Sequence, residues 1–564
     1  MIRRCVRATL VAWCAVALLA GGWGGNLLQA QEKPKKLAKG QPFLVVSVAS
    51  FERLMEDADY MFSLAGRPEL SEMIGGALSN VRDLKGLNKD SSVGLLLFLE
   101  GLTPEPIGFV PVKDIDEMMK TITIGPVTPN KKEEGLWEIR GPNQSIFAKV
   151  VGDYAFIGRS EAALERDFSD PAQYTRRLSA SYDIGVSFNL KAVPRASRDL
   201  ILDFLRASNE ASLQQRDDEP DSVYRIRKAG GQANMESTEM FLTQAEEATI
   251  GFNVSAQDKT AFLEMVVTAD PKSEYAKLLN ELGSARSHFT SLMKNPSAMT
   301  ASASLMVDKN GRTFLKELLS VAEKELLGRL DKPASKDEPA SKNETRTSPI
   351  SELFKSVQTS VAEGKLDGIV QFLGDPPGPF TFAGGLKIAE AEKFNVGLIE
   401  IFEKLKGRDA FESVQTNVVE HRGVALHRLQ GKNLPENAIR IFGKDHGLYV
   451  GAGNGIIWFA IGGDEGLPTL KKMIDTVTDA KVDDNPVVPA QFVLHLSSWL
   501  GMMEQPDGSA NPVVELMRES FAQGGGTIHA DIRPIQDGMQ ARLSVDEGFI
   551  RMLGKAIGKR IDQR

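Results

Sequence analysis

The sequence predicts an α+β protein made of two tandem, diverged repeats, each a largely antiparallel sheet with packing helices and a charged helical arm. Three observations predict it. Gly135–Phe168, GLWEIRGPNQSIFAKVVGDYAFIGRSEAALERDF, reads strand, turn, strand, Gly-Asp hairpin, strand and helix. Within it, the two residues Gly152-Asp153 between β-rich runs are a hairpin connection. A looser copy follows in Gly423–Ile474, where GLYVGAGNGIIWFAIGGDEGLPTLKKMI again runs strand, Gly-rich turn, strand, helix. Finally, 564 residues exceed what one core usually supports, and 42% hydrophobic with 25% charged residues is the balance of a folded chain.

The first thirty residues stand apart. Arg3, Arg4 and Arg7 precede an apolar run, Ala8–Leu19, and Gly21–Gly25 breaks it ahead of Leu28-Gln29-Ala30. Basic residues, a short apolar run and a small residue at the exit predict a secretory signal, residues 1–30, cleaved between Ala30 and Gln31. The run is short for a bilayer span, which needs about 20 apolar residues; an uncleaved anchor is the alternative. Both cysteines, Cys5 and Cys14, lie in this segment, so the mature chain is expected to lack thiol chemistry and disulfides. Its loss takes three positive charges from a chain already at −8. Such a surface repels phosphate backbones, so nucleic acid is not an expected partner.

The first repeat is expected over residues 43–295, after a loose basic lead at 31–42. Phe43–Val48 is β-rich, and Phe51, Leu54, Met55, Ala58 and Phe62 give a helical stripe over Phe51–Leu64. Leu70–Leu84 reads as helix, and Val93–Leu99 and Ile107–Val112 as strands. Asp114, with Glu117 three positions on, is a capping-box pattern; a divalent-cation cluster of Asp114, Asp116 and Glu117 is the rival reading, but it lacks an EF-hand's ligand run and Gly. Ser145–Val151 and Tyr154–Ile157 flank the hairpin, and Ser160 sits where a helix cap is wanted. Ile184–Leu190 alternates as a half-buried strand. Residues 194–247 read as a helical arm broken near Glu219-Pro220 and Gly230-Gly231. Thr249–Val254 and Thr260–Thr268 then form a hairpin, followed by a helix through Tyr275, Leu278, Leu279 and Leu282.

At Pro296 the pattern restarts, and the second repeat is expected over 296–564. Thr300–Val307 echoes Phe43–Val48, and Thr313–Leu327 echoes the helix after it. Residues 332–349, with PASKDE followed by PASKNE, are a polar low-complexity insert expected to be disordered. Phe380–Ile388 and Ala391–Leu405 answer the Ile107–Ile122 segment. The arm is shortened to about Met502–Gln523, and Ser160 is matched by Asp464 as a cap.

Chemical motifs are sparse. Gly158-Arg159-Ser160-Glu161-Ala162 lacks the last Gly of a nucleophile elbow, and no His occurs before His288 to complete a triad. Gly451-Ala452-Gly453-Asn454-Gly455 leads into β-rich Ile456–Phe459 rather than a helix, so it reads as a hairpin and not a nucleotide loop. His288, His421, His427, His446, His495 and His529 show no ligand spacing. His427, His495 and His529, each on a strand, could converge on one sheet face as a zinc or general-base site; scattered structural histidines are the plainer reading. No catalytic, cofactor or metal residue is therefore assigned, and no cofactor is expected. The C-terminal Phe549–Ile561 carries Phe549, Ile550, Leu553, Ala556, Ile557 and Ile561 on one stripe beside Arg551, Lys555, Lys559 and Arg560. That pattern fits a helix packed on the sheet, with peripheral membrane contact as the alternative.

The VSVASFERLMEDADYMFSLAGRPEL opening, VVGDYAFIGRSEAALERDF and AEEATIGFNVSAQDKTAFLEMVVTADPKSEYAKLL, together with the signal segment, resemble a family of exported bacterial proteins of planctomycete type. The resemblance implies export and a large α+β unit; the family has no assigned activity or catalytic residues to carry over. The expectation is a non-catalytic periplasmic or extracellular envelope protein that binds a protein partner or an apolar ligand between its lobes. The alternatives are an exported hydrolase with a carboxylate or histidine site, and a surface scaffold using the 194–247 arm.

Overall fold

Strand-forming alternation and two-residue turns produce one antiparallel sheet of twenty strands among the described residues. The structure, a computed structural model, describes residues 40–77, 85–100, 103–122, 128–133, 135–142, 144–330, 349–374, 378–480, 488–503 and 511–563.

The chain begins with β1 (Leu44–Val48), α1 (Phe51–Leu64), α2 (Pro68–Ala77), β2 (Val93–Glu100), β3 (Thr103–Pro111) and α3 (Ile115–Ile122). A four-strand meander follows: β4 (Thr128–Glu133), β5 (Leu136–Arg140), β6 (Ser145–Val151) and β7 (Tyr154–Gly158). Then come α4 (Ala172–Ser181), β8 (Ile184–Asn189), α5 (Arg195–Ser212), α6 (Asp221–Gln244), β9 (Ala245–Ser255), β10 (Thr260–Ala269) and α7 (Glu274–Glu281). The second half opens with β11 (Met299–Met306), α8 (Lys309–Leu330), α9 (Pro349–Glu363), β12 (Lys365–Leu373), β13 (Thr381–Lys387) and α10 (Ala391–Leu405). Its meander is β14 (Phe411–His421), β15 (Val424–Gly431), α11 (Glu436–Phe442), β16 (Gly447–Gly453) and β17 (Ile456–Gly462). It ends with α12 (Gly466–Asp479), β18 (Ala490–His495), α13 (Pro512–Phe521), β19 (Thr527–Ile535), β20 (Gly538–Asp546) and α14 (Glu547–Asp562).

The two halves meet at β10 and β20, which pair antiparallel from Thr260↔Asp546 to Thr268↔Gly538. Outward from that junction the strands on one side run β9, β8, β1, β2, β3, β7, β6, β5, β4. On the other side they run β19, β18, β11, β12, β13, β17, β16, β15, β14. The junction is thus a hydrogen-bonded ladder, and the expected cleft between lobes is replaced by continuous sheet.

Helices close the sheet toward its ends. One core gathers Val45, Leu96, Phe98, Ile107, Phe109, Phe156 and Leu178, with the Phe156 and Phe168 rings stacked at 4.2 Å. Its counterpart gathers Phe289, Ile369, Leu426, Trp458 and Leu470. Burying each such side chain is worth about 1.5–3 kcal/mol, so these cores supply what disulfides do not. Gly554 of α14 makes one of the closest helix contacts: a Cβ there would lie 2.8 Å from both the Ala65 Cβ and the Met61 carbonyl oxygen. Gly554→Val is therefore expected to destabilise the protein by about 1–3 kcal/mol, read as a lower urea midpoint with an unchanged slope.

Several expectations need correction. Gly230-Gly231 does not break the arm but lies inside α6, because Gly230 seats against the Phe314 ring of α8 and Gly231 against Leu213. The segment after Ser160 is a single 3₁₀ turn, Ala162–Leu164, with Ser160 Oγ accepting from the Ala163 amide at 3.1 Å. Asp464 has no such role, since α12 starts after Glu465 without a side-chain cap. Pro349 begins helix α9 instead of ending the polar insert, whose residues 332–348 lie outside the described residues. The helix expected over Leu70–Leu84 is described only to Ala77.

Candidate functional face

The feature that asks for an explanation is the middle of the sheet. Directly paired residues share a face, which lets two rungs be read across the junction. One is Ile184, Phe252, Leu263 and Leu543; the next is Val186, Ile250, Met265 and Ala541. Six of these eight side chains, Ile184, Phe252, Leu263, Leu543, Ile250 and Met265, are 38–49% exposed. Large apolar side chains scattered singly on a surface are ordinary; a contiguous set across four strands is not.

The same face is covered at one end of these strands. Ala248 and Val267 are buried with Ala245 and Leu190, against Phe241 and Leu242 of α6, Tyr275 of α7, and Met539. The first rung continues onto Ala530 and Phe492, the second onto Ile532 and Ala490, all half-buried. The result is an apolar floor flanked at one end by α6 and α7.

The opposite face of the same strands is polar. Glu264, buried in β10, sits directly across from Arg542 of β20, which is paired in turn with Asp531. The Glu264 carboxylate accepts from the Tyr182 hydroxyl at 2.6 Å, from Arg542 Nε at 2.6 Å and from the Gln540 amide. Burial pushes its carboxyl up, but the hydrogen bonds from Tyr182, Gln540 and Arg542 together outweigh this and hold it below the usual range. Asp531 is ion-paired with Arg533 at 2.8 Å and lies 3.4 Å from His529. These carboxylates are occupied in joining strands.

A second carboxyl pair lies where α1 meets the sheet. Asp183 accepts from the Val254 amide at 2.6 Å and is ion-paired with Arg53, whose Nε lies 2.8 Å from its Oδ1. Arg53 also donates to the Ser179 carbonyl at 2.7 Å and to Asn253. Asp57, one turn further along α1, hydrogen-bonds Asp183. Burial, then the Asp183 charge and that hydrogen bond, push its carboxyl up to about 7. Asp57 therefore keeps its proton under mildly acidic conditions and adds no second charge beside Asp183.

The histidines do not converge. His495 and His529 share the polar face, bonding Thr527 Oγ1 at 3.2 Å and the Gln491 amide at 2.9 Å. Following the pairing from His529 through Val493, Thr300, Gln371, Ala383, Ala460 and Tyr449 arrives at Arg428, so His427 points to the other face. There His427 is fully buried, accepting from the Asn417 amide at 3.0 Å and meeting Asn395 Oδ1 at 3.0 Å, and burial lowers its pKa. His288 is tied to Asp367, His421 to Asp475 and His446 to the Gly443 carbonyl. Among the described residues no group of three or more His, Cys, Asp and Glu is placed to hold a metal ion.

The remaining motifs have structural roles. Asp114 Oδ1 accepts from the Glu117 amide at 3.0 Å, but Glu117 pairs with Lys120 instead of reaching back. Asn454 and Gly455, both at positive φ, turn β16 into β17. Helix α14 buries Gly548, Ile550, Arg551, Gly554 and Gly558; of the predicted stripe Ile550 is buried, Phe549, Ala556, Ile557 and Ile561 are half-buried, and Leu553 is exposed. Arg551 donates to the Ser520 and Gly524 carbonyls and Lys555 to that of Glu519, so these cations face α13. On the arm, α5 leaves Leu200, Ile201 and Phe204 exposed on one side. Ala30 and Gln31 lie outside the described residues, and among those described no helix is long and apolar enough to cross a membrane.

No family model, curated protein or solved structure matches the chain. Its class is accordingly defined by architecture, a mixed helix-and-sheet protein organised on one large antiparallel sheet.

Proposed function

We propose that the protein is an exported, non-catalytic envelope protein that binds an apolar ligand or partner on the open face of β8, β9, β10 and β20. The carrying observation is the contiguous exposure of Ile184, Phe252, Leu263, Leu543, Ile250 and Met265. Water left on such a surface costs free energy that an apolar occupant recovers. Export rests on the Arg3–Ala30 signal pattern and cleavage before Gln31. We also infer that one unit was copied to make the chain; the matching strand order on either side of the β10–β20 junction supports this, as does the Thr249-Ile250 and Thr527-Ile528 correspondence.

A hydrolase draws less support, because Glu264 and Asp531 are engaged by arginines and the histidines are dispersed. The scaffold reading has one specific observation in its favour, the exposed Leu200, Ile201 and Phe204 on α5.

The test is recovery of the mature chain from its native envelope, followed by mass spectrometry of bound lipids and proteins. Wild type is expected to retain an apolar molecule or partner that the Met265→Lys variant loses. Because residue 265 is exposed, the substitution is expected to change stability by no more than about 0.5 kcal/mol. Recovery of the same bound species with both proteins, or of none, sinks the reading. Loss confined to a Phe204→Lys variant moves the function to the arm.

A further inference from the structure

We propose that the occupant of the open face is a single straight-chain fatty acid whose hydrocarbon lies across the strands, along the two rungs; this rests on the binding function proposed above. The dimensions select it. Neighbouring strands lie about 4.8 Å apart, so Ile184, Phe252, Leu263 and Leu543 cover roughly 15 Å, and continuation onto Ala530 and Phe492 adds roughly 10 Å. The second rung, through Ile250 and Met265, runs two residues away, roughly 7 Å along the strands. The floor is thus a strip of at most a few hundred Å², against the roughly 800 Å² per partner of a stable protein interface. A second copy or a folded partner would find too little to bury. One extended chain fits, since a membrane acyl chain spans about half of a ~30 Å hydrocarbon core.

The chemistry of the strip agrees. Both rungs consist of aliphatic or aromatic side chains, and the backbone donors and acceptors beneath them are engaged in the ladders on either side. Glu264 and Arg542 project from the other face, so nothing charged interrupts the floor. A ligand here needs length and no polar atoms except at its end.

The discriminating measurement is a chain-length series. Saturated fatty acids of about eight to about eighteen carbons are titrated into the full mature chain by calorimetry. Affinity is expected to rise roughly fourfold per added methylene where the chain is fully covered and roughly twofold where one side stays open, then level off once the strip is filled. Leu263→Lys and, from the other half, Leu543→Lys are each expected to weaken the longest bound chain at least tenfold, with thermal melts confirming that each variant folds. Affinity independent of chain length, or unchanged in both folded variants, overturns the proposal. If fatty acids fail to bind while an envelope protein is retained by wild type and released by Leu263→Lys, the fatty-acid assignment falls and the binding function stands. A concentration-dependent dimer in sedimentation that Leu263→Lys dissociates would give the face to a second copy, and likewise overturns it.

Discussion

Replacing Glu264 with alanine is expected to destabilise the protein by about 3–5 kcal/mol, the cost of leaving buried partners of a charged network uncompensated. Glu264 is 5% exposed and stands at the centre of the ladder joining the two halves, directly opposite Arg542. Its carboxylate is the partner of the buried Tyr182 hydroxyl and of two groups on β20, Gln540 and Arg542. Arg542 can turn toward water, and its guanidinium keeps the Phe262 ring at 4.3 Å; the Tyr182 hydroxyl has no such exit. Glu264→Gln retains an acceptor for Tyr182 and is expected to cost less than alanine. The sign of the pH dependence follows from the depressed carboxyl: its contribution is present above the ordinary carboxylate range and disappears as pH falls through the folded-state value. Urea melts of wild type and Glu264→Ala should accordingly converge on acidification. A difference below about 1 kcal/mol at neutral pH would show that the junction does not depend on this residue.

Asp57→Asn is expected to act in the opposite direction and stabilise the protein at neutral and alkaline pH. The Asp57 carboxyl titrates at about 7 in the folded chain against 3.8 ordinarily. A carboxyl raised in this way contributes stability that is fully present below its ordinary value and is lost as pH rises through about 7. Asparagine keeps a hydrogen-bond donor toward Asp183 at every pH and never adds a second charge beside it. The gain above neutrality is on the order of 1–2 kcal/mol after discounting for solvent screening at this half-buried position. Thermal melts from about pH 4 to about pH 8 are the check. Wild type should lose ground to the variant steadily across that interval. Parallel curves would mean that burial and Asp183 do not raise the Asp57 carboxyl.

The fold was legible wherever local chemistry decides it. Gly152-Asp153 and Asn454-Gly455 permit the positive φ that their turns adopt, at Gly152, Asn454 and Gly455, and the flanking β-rich runs follow. The Phe51–Leu64 stripe gives α1, with Ser50 accepting from the Arg53 amide as its cap. Expectations failed where a distant segment supplies the reason. Gly230-Gly231 resembles a break until Phe314, far along the chain, is found against it. Leu553 of the C-terminal stripe resembles a core residue until its neighbour Gly554 is found against Met61 and Ala65 instead.

The candidate site shows the same division more sharply. By itself the sequence determined that Thr249–Val254 alternates, with Ile250, Phe252 and Val254 on one side and Thr249, Gly251 and Asn253 on the other. Alternation alone would place the apolar side inward. Tertiary structure decided the reverse for Ile250 and Phe252. Gly251 is pressed so closely by Tyr182 that a Cβ would lie 2.2 Å from its ring, and Arg53 reaches Asn253, so the small and polar side is closed. The apolar side is left open because α6 and α7, which cover Ala248 and Val267, stop short of Ile250 and Phe252. Periodicity is a property of neighbouring residues and can be read from them. Which face is closed depends also on groups elsewhere in the chain, Arg53 of α1 against Asn253 among them, and no local pattern encodes that.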